Sequence, residues 1–331
     1  MPHLIQLPTP FPVGPVNVYL LEGPSTSSGQ APLTLIDCGP KHADSLAALE
    51  AGLAKHGHRI EDIRQLIITH HHVDHVGLAK TVVERSGASL LTHPFNVPYF
   101  ANYEAERLSH QPFYAQMWAE GGVPEDIIEQ MRHASEGIAR WLDPVSVARA
   151  IDEGDTVTMG GGTWTVYHTP GHAGGLICLH GPETNELIAN DHLLRDISSN
   201  PVMEPPPLGG AAGPRPKRLV EYIHHMKRMA ALKPVIAYPG HGEPIYDVPA
   251  LVRKRAAFHR RRANKIHEVL CSRPLTLWEL TRPIFPKLSH GMDYFLALSE
   301  ILGHLDILVE EGRVAASEDG TVVRWRASNG G

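Results

Sequence analysis

The stretch from residue 65 to residue 75 constrains this chain more than any other part of its sequence. It runs from a short apolar segment into "THHHVDH", so that four imidazoles and one carboxylate fall within seven residues. Side chains two residues apart in an extended segment point to the same side, and His70 and His72 can therefore bind one ion together. Asp74 and His75 follow where the chain turns towards the next helix, and they can face a second ion nearby.

Further along the chain, three motifs each place a potential metal ligand directly after a predicted strand. Glycines within these motifs allow the tight turns that bring such side chains inward. The three ligands are His172 in "TPGHAGG", Asp191 in "IANDHLL" and His241 in "YPGHGEP". Imidazole and carboxylate ligands suit zinc, iron or manganese, and the lack of cysteine in these motifs argues against a closed structural zinc site.

We therefore predict a centre of two divalent transition-metal ions, with zinc as the first choice and iron or manganese as alternatives. The ligands divide by position into His70, His72 and His172 for one ion, Asp74, His75 and His241 for the other, and Asp191 between the two. Two ions so placed would share a water, lower its pKa and direct hydroxide at a carbonyl carbon or a phosphorus. Asp74 is the predicted catalytic residue because it would orient this nucleophile. His71 is expected to point to the opposite side and to bind neither ion.

Elsewhere the sequence predicts alternating strands and helices, which is typical of an α/β protein. Apolar segments at residues 16–22 and 33–37 predict two strands joined by a Gly/Ser/Pro-rich loop, and leucines at helical spacing predict a helix over about 42–57. A single strand is predicted over 156–168. Residues 98–150 are predicted to form a helical insertion that is rich in large apolar side chains.

The character of the sequence changes at about residue 248, some way beyond an irregular Pro/Gly-rich loop at 200–216. A long helix is predicted from there, and seven of the residues from 253 to 265 are Lys or Arg, with no Asp or Glu among them. Two helices and a β-hairpin around "EDG" follow, which is the element order of a winged-helix module. We therefore predict a catalytic domain over residues 1–247, followed by a linking helix and a small winged-helix domain over 248–331.

The composition limits the classes of protein to which the chain can belong. With 331 residues, of which 42% are hydrophobic and 20% are charged, the chain is typical of a soluble globular protein. Residues 1–250 carry 17 Lys and Arg against 27 Asp and Glu, whereas residues 251–331 carry 13 against 9, so an acidic body precedes a slightly basic tail. Three cysteines in apolar segments favour buried thiols in a reducing compartment. Without a signal sequence or a membrane-length apolar run, we expect a cytoplasmic protein with no membrane partner.

Taken together, the motifs "THHHVDH", "PGHAGG", "NDH" and "YPGHG" resemble those of the metallo-β-lactamase superfamily. The resemblance covers about residues 10–245 and includes Asp37 in "LIDCG", which is similar to the early strand motif of the family. It implies a four-layer αββα sandwich with a dinuclear metal site at the edges of the sheets. Asp37 is a candidate for an outer partner that fixes the tautomer of a ligand imidazole. The residue before the bridging aspartate, usually glycine, is Asn190 here.

The motifs and the resemblance indicate a hydrolase, and two substrate classes remain open. Hydrolysis of a small ester, thioester or lactone is favoured because the body is acidic and the insertion is rich in aromatic side chains. Cleavage of single-stranded RNA is the alternative. It arises because a domain of this family followed by a winged helix resembles the bacterial relatives of lactamase-beta-like protein 2, a group that includes an endoribonuclease.

A third hypothesis is a DNA-binding regulator that uses the winged helix and carries a relict enzyme domain. The complete ligand set argues against it, and "YFLALSEILGHLDILVEEGRV" is apolar and acidic where a groove-reading helix should be basic. The basic run at 253–265 is more typical of a solvated helix face, although contact with nucleic acid stays open. In this interpretation the winged helix packs against the catalytic domain or against a second subunit in a homodimer.

Four side chains are candidates for lining a substrate site: Tyr114, Met117, Trp118 and His192. The three in the insertion lie at helical spacing, so packing in a core is the alternative for them. His192 adjoins Asp191, and a packing role is the alternative for it as well.

Overall fold

The computed structural model describes residues 1–24, 32–206 and 214–328. The strands are β1 (His3–Leu7), β2 (Val16–Glu22), β3 (Leu33–Ile36), β4 (Ile63–Ile68), β5 (Ser89–Thr92), β6 (Arg149–Ala150), β7 (Thr156–Met159), β8 (Gly162–His168), β9 (Ile177–Gly181), β10 (Glu186–Asn190), β11 (Ile236–Pro239), β12 (Val314–Asp319) and β13 (Val322–Ala327). The α-helices are α1 (Ala43–Lys55), α2 (Val73–Val76), α3 (Ala79–Ser86), α4 (Val97–Ser109), α5 (Gln111–Glu120), α6 (Glu125–Glu136), α7 (Arg218–Ala231), α8 (Val248–Leu270), α9 (Leu277–Ile284) and α10 (Gly291–Glu310).

Most of the described strands form two mixed sheets. The first has the order β1-β2-β3-β4-β5-β6, and its strands from β3 to β6 are parallel. The second has the order β11-β10-β9-β8-β7, in which β10 and β11 are parallel and the other neighbours are antiparallel. Strands β12 and β13 form a separate hairpin in the tail.

Three layers of apolar side chains join these sheets to each other and to the helices. Tyr19 and Ile67 of the first sheet meet Val166 of the second in the layer between the sheets. The outer face of the first sheet packs on α1 and α3, where Leu53 is buried, and the outer face of the second sheet packs on α7 and α8, where Tyr222 is buried. The layers therefore run helix, sheet, sheet, helix, which confirms the predicted αββα sandwich.

Strand β2 shows why the predicted strands are almost continuously apolar. Val18 and Leu20 belong to the core beneath α1, whereas Tyr19 and Leu21 belong to the core between the sheets. Successive side chains of a strand point to opposite faces of the sheet, and both faces of this sheet are covered. Every position from 16 to 21 is therefore buried.

The helical insertion and the tail share a further hydrophobic core. Trp118 of α5 and Ile127 of α6 are buried in it together with Leu280 of α9 and Leu305 of α10. In the tail, Leu275 exchanges two backbone hydrogen bonds with Trp325 of β13, at 2.9 and 2.8 Å, which adds a third extended segment to the hairpin. The insertion is therefore a packing partner of the tail.

The segment predicted as one strand over 156–168 is a hairpin. Strands β7 and β8 pair antiparallel, with Met159 opposite Gly162. The two residues between them, Gly160 and Gly161, have φ angles of 60° and 79°. A two-residue turn with positive φ at both positions closes a hairpin and favours glycine. The alternation of apolar residues is the same in one long strand and in a hairpin. Only the pair of glycines indicates that the segment turns back on itself.

Two predicted loops extend beyond the described residues. The Gly/Ser/Pro-rich loop between β2 and β3 includes residues 25–31, and the Pro/Gly-rich loop at 200–216 includes residues 207–213; both stretches lie outside the described residues.

Cys38 and Cys178 are buried as expected, whereas Cys271, directly after α8, is exposed. Within the described part of the chain, no helix combines the length and the apolar character needed to cross a lipid bilayer.

Candidate metal centre

Polar residues that follow five strand ends lie together at one edge of the sandwich. Each follows its strand by one to four residues, and they are Asp37 after β3, His70 after β4, His172 after β8, Asp191 after β10 and His241 after β11. Since β3 and β4 are parallel, and β10 and β11 are parallel, their carboxyl ends meet at the same edge. The sequence thus delivers side chains from both sheets to one place.

The first group of potential ligands is His70, His72 and His172. One ring nitrogen of each lies within 4.8 Å of the others, and Nδ1 of His72 is 3.0 Å from Nε2 of His172. Two ligands bound at about 2.0 to 2.1 Å in tetrahedral geometry are roughly 3.3 Å apart, so these nitrogens have a spacing suited to a shared ion. The side chain of His72 is 25% exposed, whereas His70 is fully buried, so solvent reaches the group from the His72 side.

The second group is Asp74, His75 and His241. Oδ2 of Asp74 is 3.3 Å from Nε2 of His241 and 3.7 Å from Nε2 of His75. Asp74 and His75 belong to the short helix α2, which begins directly after His72 and turns these side chains away from the first group. The chain therefore turns between His72 and Asp74, which is the point where the sequence pattern predicted the change from the first ligand group to the second.

Asp191 lies between the two groups and reaches both. Its Oδ2 is 3.4 Å from Nε2 of His172, and its Oδ1 is 3.5 Å from Nε2 of His75. A side chain at Gly240 would place its Cβ 2.0 Å from Oδ1 of Asp191, so only glycine fits at that position. The structure brings all seven predicted ligands into one cluster.

The free ring nitrogens and oxygens of this cluster fit divalent metal ions. Buried polar atoms in folded proteins nearly always have a hydrogen-bond partner. Four buried atoms of the cluster have none among the described residues, and they are Nε2 of His70, Nε2 of His75, Oδ1 of Asp191 and Nε2 of His241. A carboxylate oxygen or a deprotonated imidazole nitrogen has a lone pair to donate, which is the property that a cation requires of its ligands.

The opposite nitrogens of three imidazoles are fixed by acceptors outside the ligand set. Nδ1 of His75 lies 2.9 Å from Oδ2 of Asp37, Nδ1 of His172 lies 3.0 Å from the carbonyl oxygen of Asn200, and Nδ1 of His241 lies 2.8 Å from the carbonyl oxygen of Pro15. Because Nδ1 carries the hydrogen in each case, Nε2 is left as the acceptor that faces the centre. The contact between Asp37 and His75 agrees with the expected role of Asp37 as an outer partner of a ligand imidazole.

Asn190 occupies the position where the family usually has glycine, and it adopts a glycine-like conformation. Its φ angle is 43°, in the left-handed region that asparagine tolerates better than most residues. Its Nδ2 donates to Oδ2 of Asp37, and its Oδ1 accepts a hydrogen bond of 2.8 Å from the backbone N–H of Asp191. Asparagine at this position therefore adopts the turn and forms two hydrogen bonds beside the Asp191 carboxylate.

Glu204 is a residue of the site that the sequence did not indicate. Its carboxylate is buried, and Oε1 lies 3.1 Å from Nε2 of His71 and 3.7 Å from Nε2 of His72, while Oε2 accepts a hydrogen bond of 2.7 Å from the backbone N–H of Gly174. Both ring nitrogens of His71 are thus engaged outside the predicted ligand set, with Nε2 beside Glu204 and Nδ1 3.1 Å from Oδ1 of Asn96. Glu204 lies in the irregular loop after β10, where no periodicity marks a functional side chain.

Three of the four predicted substrate-lining residues are buried elsewhere. Met117 and Trp118 belong to the core shared with the tail, with exposures of 7% and 3%. His192 has no exposed surface and packs on Tyr222 of α7. Side chains with so little accessible surface, packed in a core, offer almost no contact area to a substrate, so these predictions are corrected to packing roles. Tyr114 is only partly buried, and its hydroxyl donates to the carbonyl oxygen of Met203, next to Glu204.

The two ligand groups differ in their electrostatics. Burial, followed by the neighbouring imidazoles, lowers the pKa of His70 well below its usual range and that of His172 to about 4. Both rings are therefore neutral at pH 7 and can donate a lone pair. In the second group, burial would raise the pKa of Asp74, but His75 and His241 outweigh it and bring the pKa to about 2. The carboxylate is ionised and can bind a cation.

Known proteins are similar to this chain in sequence and in fold. The family model described as the metallo-beta-lactamase superfamily matches residues 11–241. A probable metallo-hydrolase, YqjP of Bacillus subtilis (strain 168), is 34% identical over 322 residues, which are 97% of this chain and 96% of that protein. The crystal structure of a metallo-beta-lactamase family protein from Thermus thermophilus matches with a TM-score of 0.79 and 28% identity, over 99% of this chain and 98% of that chain.

A more distant relative carries a more specific name. An atrochrysone carboxyl ACP thioesterase of Aspergillus fumigatus is 26% identical over 150 residues, which are 45% of this chain and 32% of that protein. The match to the family model covers most of the chain, and the match to the B. subtilis protein covers nearly all of both proteins. The chain belongs to the metallo-beta-lactamase superfamily and is a metal-dependent hydrolase.

Proposed function

We propose that this protein is a dinuclear hydrolase that cleaves a small ester, thioester or lactone at its carbonyl carbon. The observation that carries the proposal is the pair of ligand groups joined by Asp191, whose free atoms face one another without other partners among the described residues. Five imidazoles and two carboxylates suit zinc, which we propose as the native metal. His70, His72 and His172 would hold one ion, and Asp74, His75 and His241 would hold the other.

The residues around the metals have separate tasks in this reaction. Two divalent ions would supply Lewis-acid polarisation of the carbonyl and a lowered pKa for a bound water. Asp74 has 16% of its side chain exposed, so its carboxylate can accept a hydrogen bond from the attacking water and orient it. Asp191 sets the separation of the two ligand groups. Asp37 fixes the ring of His75, and its role is positional because it lies behind the ligand.

The charges next to the ligands favour a carbonyl substrate over a phosphodiester. Within the described residues, the seven ligands form their hydrogen bonds and ion pairs with imidazoles, carboxylates, an amide, hydroxyls and backbone groups, and with no Lys or Arg. Sites that bind phosphate typically use Arg or Lys. The Glu204 carboxylate, 3.7 Å from His72, would repel a polyanion at the exposed side of the centre.

The relatives support a thioester within the carbonyl class, because one of the proteins compared above is a thioesterase. Tyr114 is the insertion residue that we propose at the substrate side, since its ring is only partly buried and its hydroxyl bonds next to Glu204. An aromatic wall of this kind suits an acyl chain or a small apolar ester better than a nucleotide backbone.

The basic run in α8 is consistent with a structural use of its charges. Arg255 is buried and donates to the carbonyl oxygens of Leu194 and Arg195, and Arg260 and Arg262 pair with carboxylates of the tail. We propose that the tail, from residue 248 onward, is a winged-helix module that packs on the catalytic domain and its insertion. Its shared core with the insertion supports this role.

A panel of substrates tests the proposal. Acyl thioesters, p-nitrophenyl esters and lactones are assayed beside a labelled single-stranded RNA, with the zinc-loaded protein. We expect carbonyl hydrolysis that falls by roughly a hundredfold or more in Asp74→Asn, because the water loses its acceptor. Asp44→Asn is the matched control, since Asp44 lies exposed in α1 and should leave the rate unchanged.

Removal of the metal provides the second arm of the test. A chelator should abolish hydrolysis, and titration with zinc should restore it fully only beyond one equivalent per chain. Restoration by one equivalent would contradict the dinuclear proposal. Rapid cleavage of the RNA that is lost in Asp74→Asn, together with inert esters and thioesters, would show that the substrate class is wrong.

A further inference from the structure

Three histidines and a glutamate lie together far from the metal centre in the fold, where β1 begins, β2 ends and α1 ends. We propose that His3, Glu22, His56 and His58 form a second, separate metal site that binds one divalent ion of the kind that prefers imidazole ligands, with Zn²⁺ as the model ion. This site is independent of the proposed hydrolase function, since it shares no residue with the ligands described above.

The register of the first two strands places His3 and Glu22 on the same face of the sheet. His3 pairs with Leu20 across the antiparallel strands β1 and β2. Glu22 lies two residues beyond Leu20, and residues two apart on a strand share a face. Leu20 packs in the core beneath α1, so His3 and Glu22 lie on the face that α1 covers.

The end of α1 brings the other two histidines to that face. His56 caps the helix, and Gly57 follows with a φ angle of 79°, a left-handed conformation that commonly ends a helix. The backbone N–H of His58 then bonds back to the carbonyl oxygen of Leu53 at 3.1 Å. This tight reversal places His56 and His58 beside the ends of the two strands.

The distances within the cluster suit ligands of one ion. Nε2 of His3 is 3.6 Å from Oε1 of Glu22, and Nε2 of His58 is 3.4 Å from the same oxygen. A ligand atom of His56 also lies within 4.8 Å of those of His3 and Glu22. Both distances to Glu22, from His3 and from His58, are therefore close to the roughly 3.3 Å that separates neighbouring ligands of a tetrahedral zinc ion.

His58 gives a second indication of a missing partner. Its side chain is 15% exposed, yet both ring nitrogens are buried and have no hydrogen-bond partner among the described residues. Buried ring nitrogens are normally satisfied. A cation coordinated by Nε2 and by the Glu22 carboxylate would satisfy one of them and balance the charge of Glu22.

An ion at this place would connect the start of β1, the end of β2 and the end of α1 through coordinated side chains. Strand β1 is an edge strand of the first sheet, bonded on one side only to β2. An ion that binds the folded chain and not the unfolded one stabilises the fold by mass action. The site would therefore act as a clamp on the edge strand.

Metal binding by the full-length protein, with its catalytic centre already loaded, tests the proposal. Equilibrium dialysis against Zn²⁺ followed by metal analysis should find one more ion per chain in the wild type than in the double variant His56→Ala/His58→Ala. Glu22→Gln should weaken the same ion at least tenfold while leaving the fold intact by circular dichroism. The control His224→Ala removes an exposed histidine of α7 and should keep the extra ion.

The two metal sites can be told apart by a second variant. His72→Ala in the catalytic centre should lose hydrolysis and should still bind the ion at His3, Glu22, His56 and His58. In that variant, Co²⁺ should give a visible absorption band that becomes weaker when Glu22→Gln is added. Equal zinc content and equal affinity in the wild type, the double variant and Glu22→Gln would overturn the proposal, whatever the activity of each protein.

Discussion

Asp37 lies outside the set of proposed ligands, yet it organises three of the groups around them. Its φ angle of 57° places it in the left-handed region, which turns its carboxylate towards the centre directly after β3. Oδ1 accepts a hydrogen bond of 2.8 Å from the backbone N–H of Thr69, and Oδ2 accepts from Asn190 and His75. One buried carboxylate thus links the strand that delivers the histidine cluster to the turn that delivers Asp191.

We predict that Asp37→Asn weakens metal binding without removing any ligand. The amide can still accept one hydrogen bond but cannot accept from all the present donors, so the ring of His75 loses its fixed orientation. Loss of such an outer partner typically costs roughly 10- to 100-fold in metal affinity. Competition with a chromogenic chelator measures the affinity, and Asp44→Asn is the control with the same chemical change. Equal affinities in the two variants would show that Asp37 does not orient the ligand.

The residues of this centre differ in how far sequence could predict them. The seven proposed ligands are histidines and aspartates within a few residues of the ends of apolar strands, and the residue type and the position together predict them. The carbonyl oxygens of Pro15 and Asn200 orient His241 and His172 equally well, but a backbone acceptor has no signature in the sequence. Glu204 also has no signature in the sequence, because its loop has neither the period of a strand nor that of a helix.

At the scale of elements, helix α10 fixes the loop that carries these unpredicted partners. Nδ2 of Asn200 donates to the carbonyl oxygen of Leu296, and the backbone N–H of Met203 donates to Oγ of Ser299. The same loop orients His172 through the Asn200 carbonyl oxygen and His71 through Glu204. The tail therefore contacts the proposed metal ligands indirectly, through one loop.

We predict that Asn200→Ala weakens this connection while the carbonyl oxygen that accepts from His172 stays in place. The lost hydrogen bond should lower the free energy of unfolding by about 1 kcal/mol. Asn102→Ala is the matched control, because Asn102 also makes a side-chain hydrogen bond, to the backbone of Ala105, far from the centre. Only Asn200→Ala should also reduce the affinity for metal and kcat. If both variants change stability alone, α10 does not position the centre.

At the scale of the whole molecule, the shared core of insertion and tail is the feature that the sequence revealed least. The stripe that includes Met117 and Trp118 indicated an apolar helix face. Such a face could equally pack in a core or line a substrate site. The partner lies in the last third of the chain, in α9 and α10. Local periodicity shows that a face is buried, and it does not show against what, because contacts between distant segments leave no local pattern.

Two buried histidines form a second contact between the catalytic domain and the tail. Nε2 of His259 on α8 lies 3.1 Å from Oγ of Ser198 in the loop after Asp191, and Nδ1 lies 3.3 Å from Nε2 of His304 on α10. Burial first, and then the neighbouring His304 ring and arginines of α8, lowers the pKa of His259 to about 3. Burial lowers the pKa of His304 to about 4. Both rings are neutral in the folded protein at neutral pH.

The stability of the whole molecule should therefore decline in mild acid. In the unfolded chain both histidines titrate near about pH 6.5. Below that pH the unfolded chain binds protons that the folded chain does not, so the free energy of unfolding falls as the pH drops from 6.5 towards 4. Each histidine contributes a slope of up to about 1.4 kcal/mol per pH unit in this range. The groups that face the pair are Arg255 and Arg262 of α8 and Glu300 of α10.

We predict that His259→Asn flattens this decline, because one of the two groups that take up a proton on unfolding is gone, while the amide can still bond to Ser198. Urea unfolding at pH 7.5, 6.5, 5.5 and 4.5 measures the effect as the difference between variant and wild type, in which the titration of all other groups cancels. The variant should be less stable than the wild type at pH 7.5 and should approach it as the pH falls. His224→Asn, on the exposed face of α7, should run parallel to the wild type. Parallel curves for His259→Asn as well would mean that this histidine is not held neutral in the folded protein.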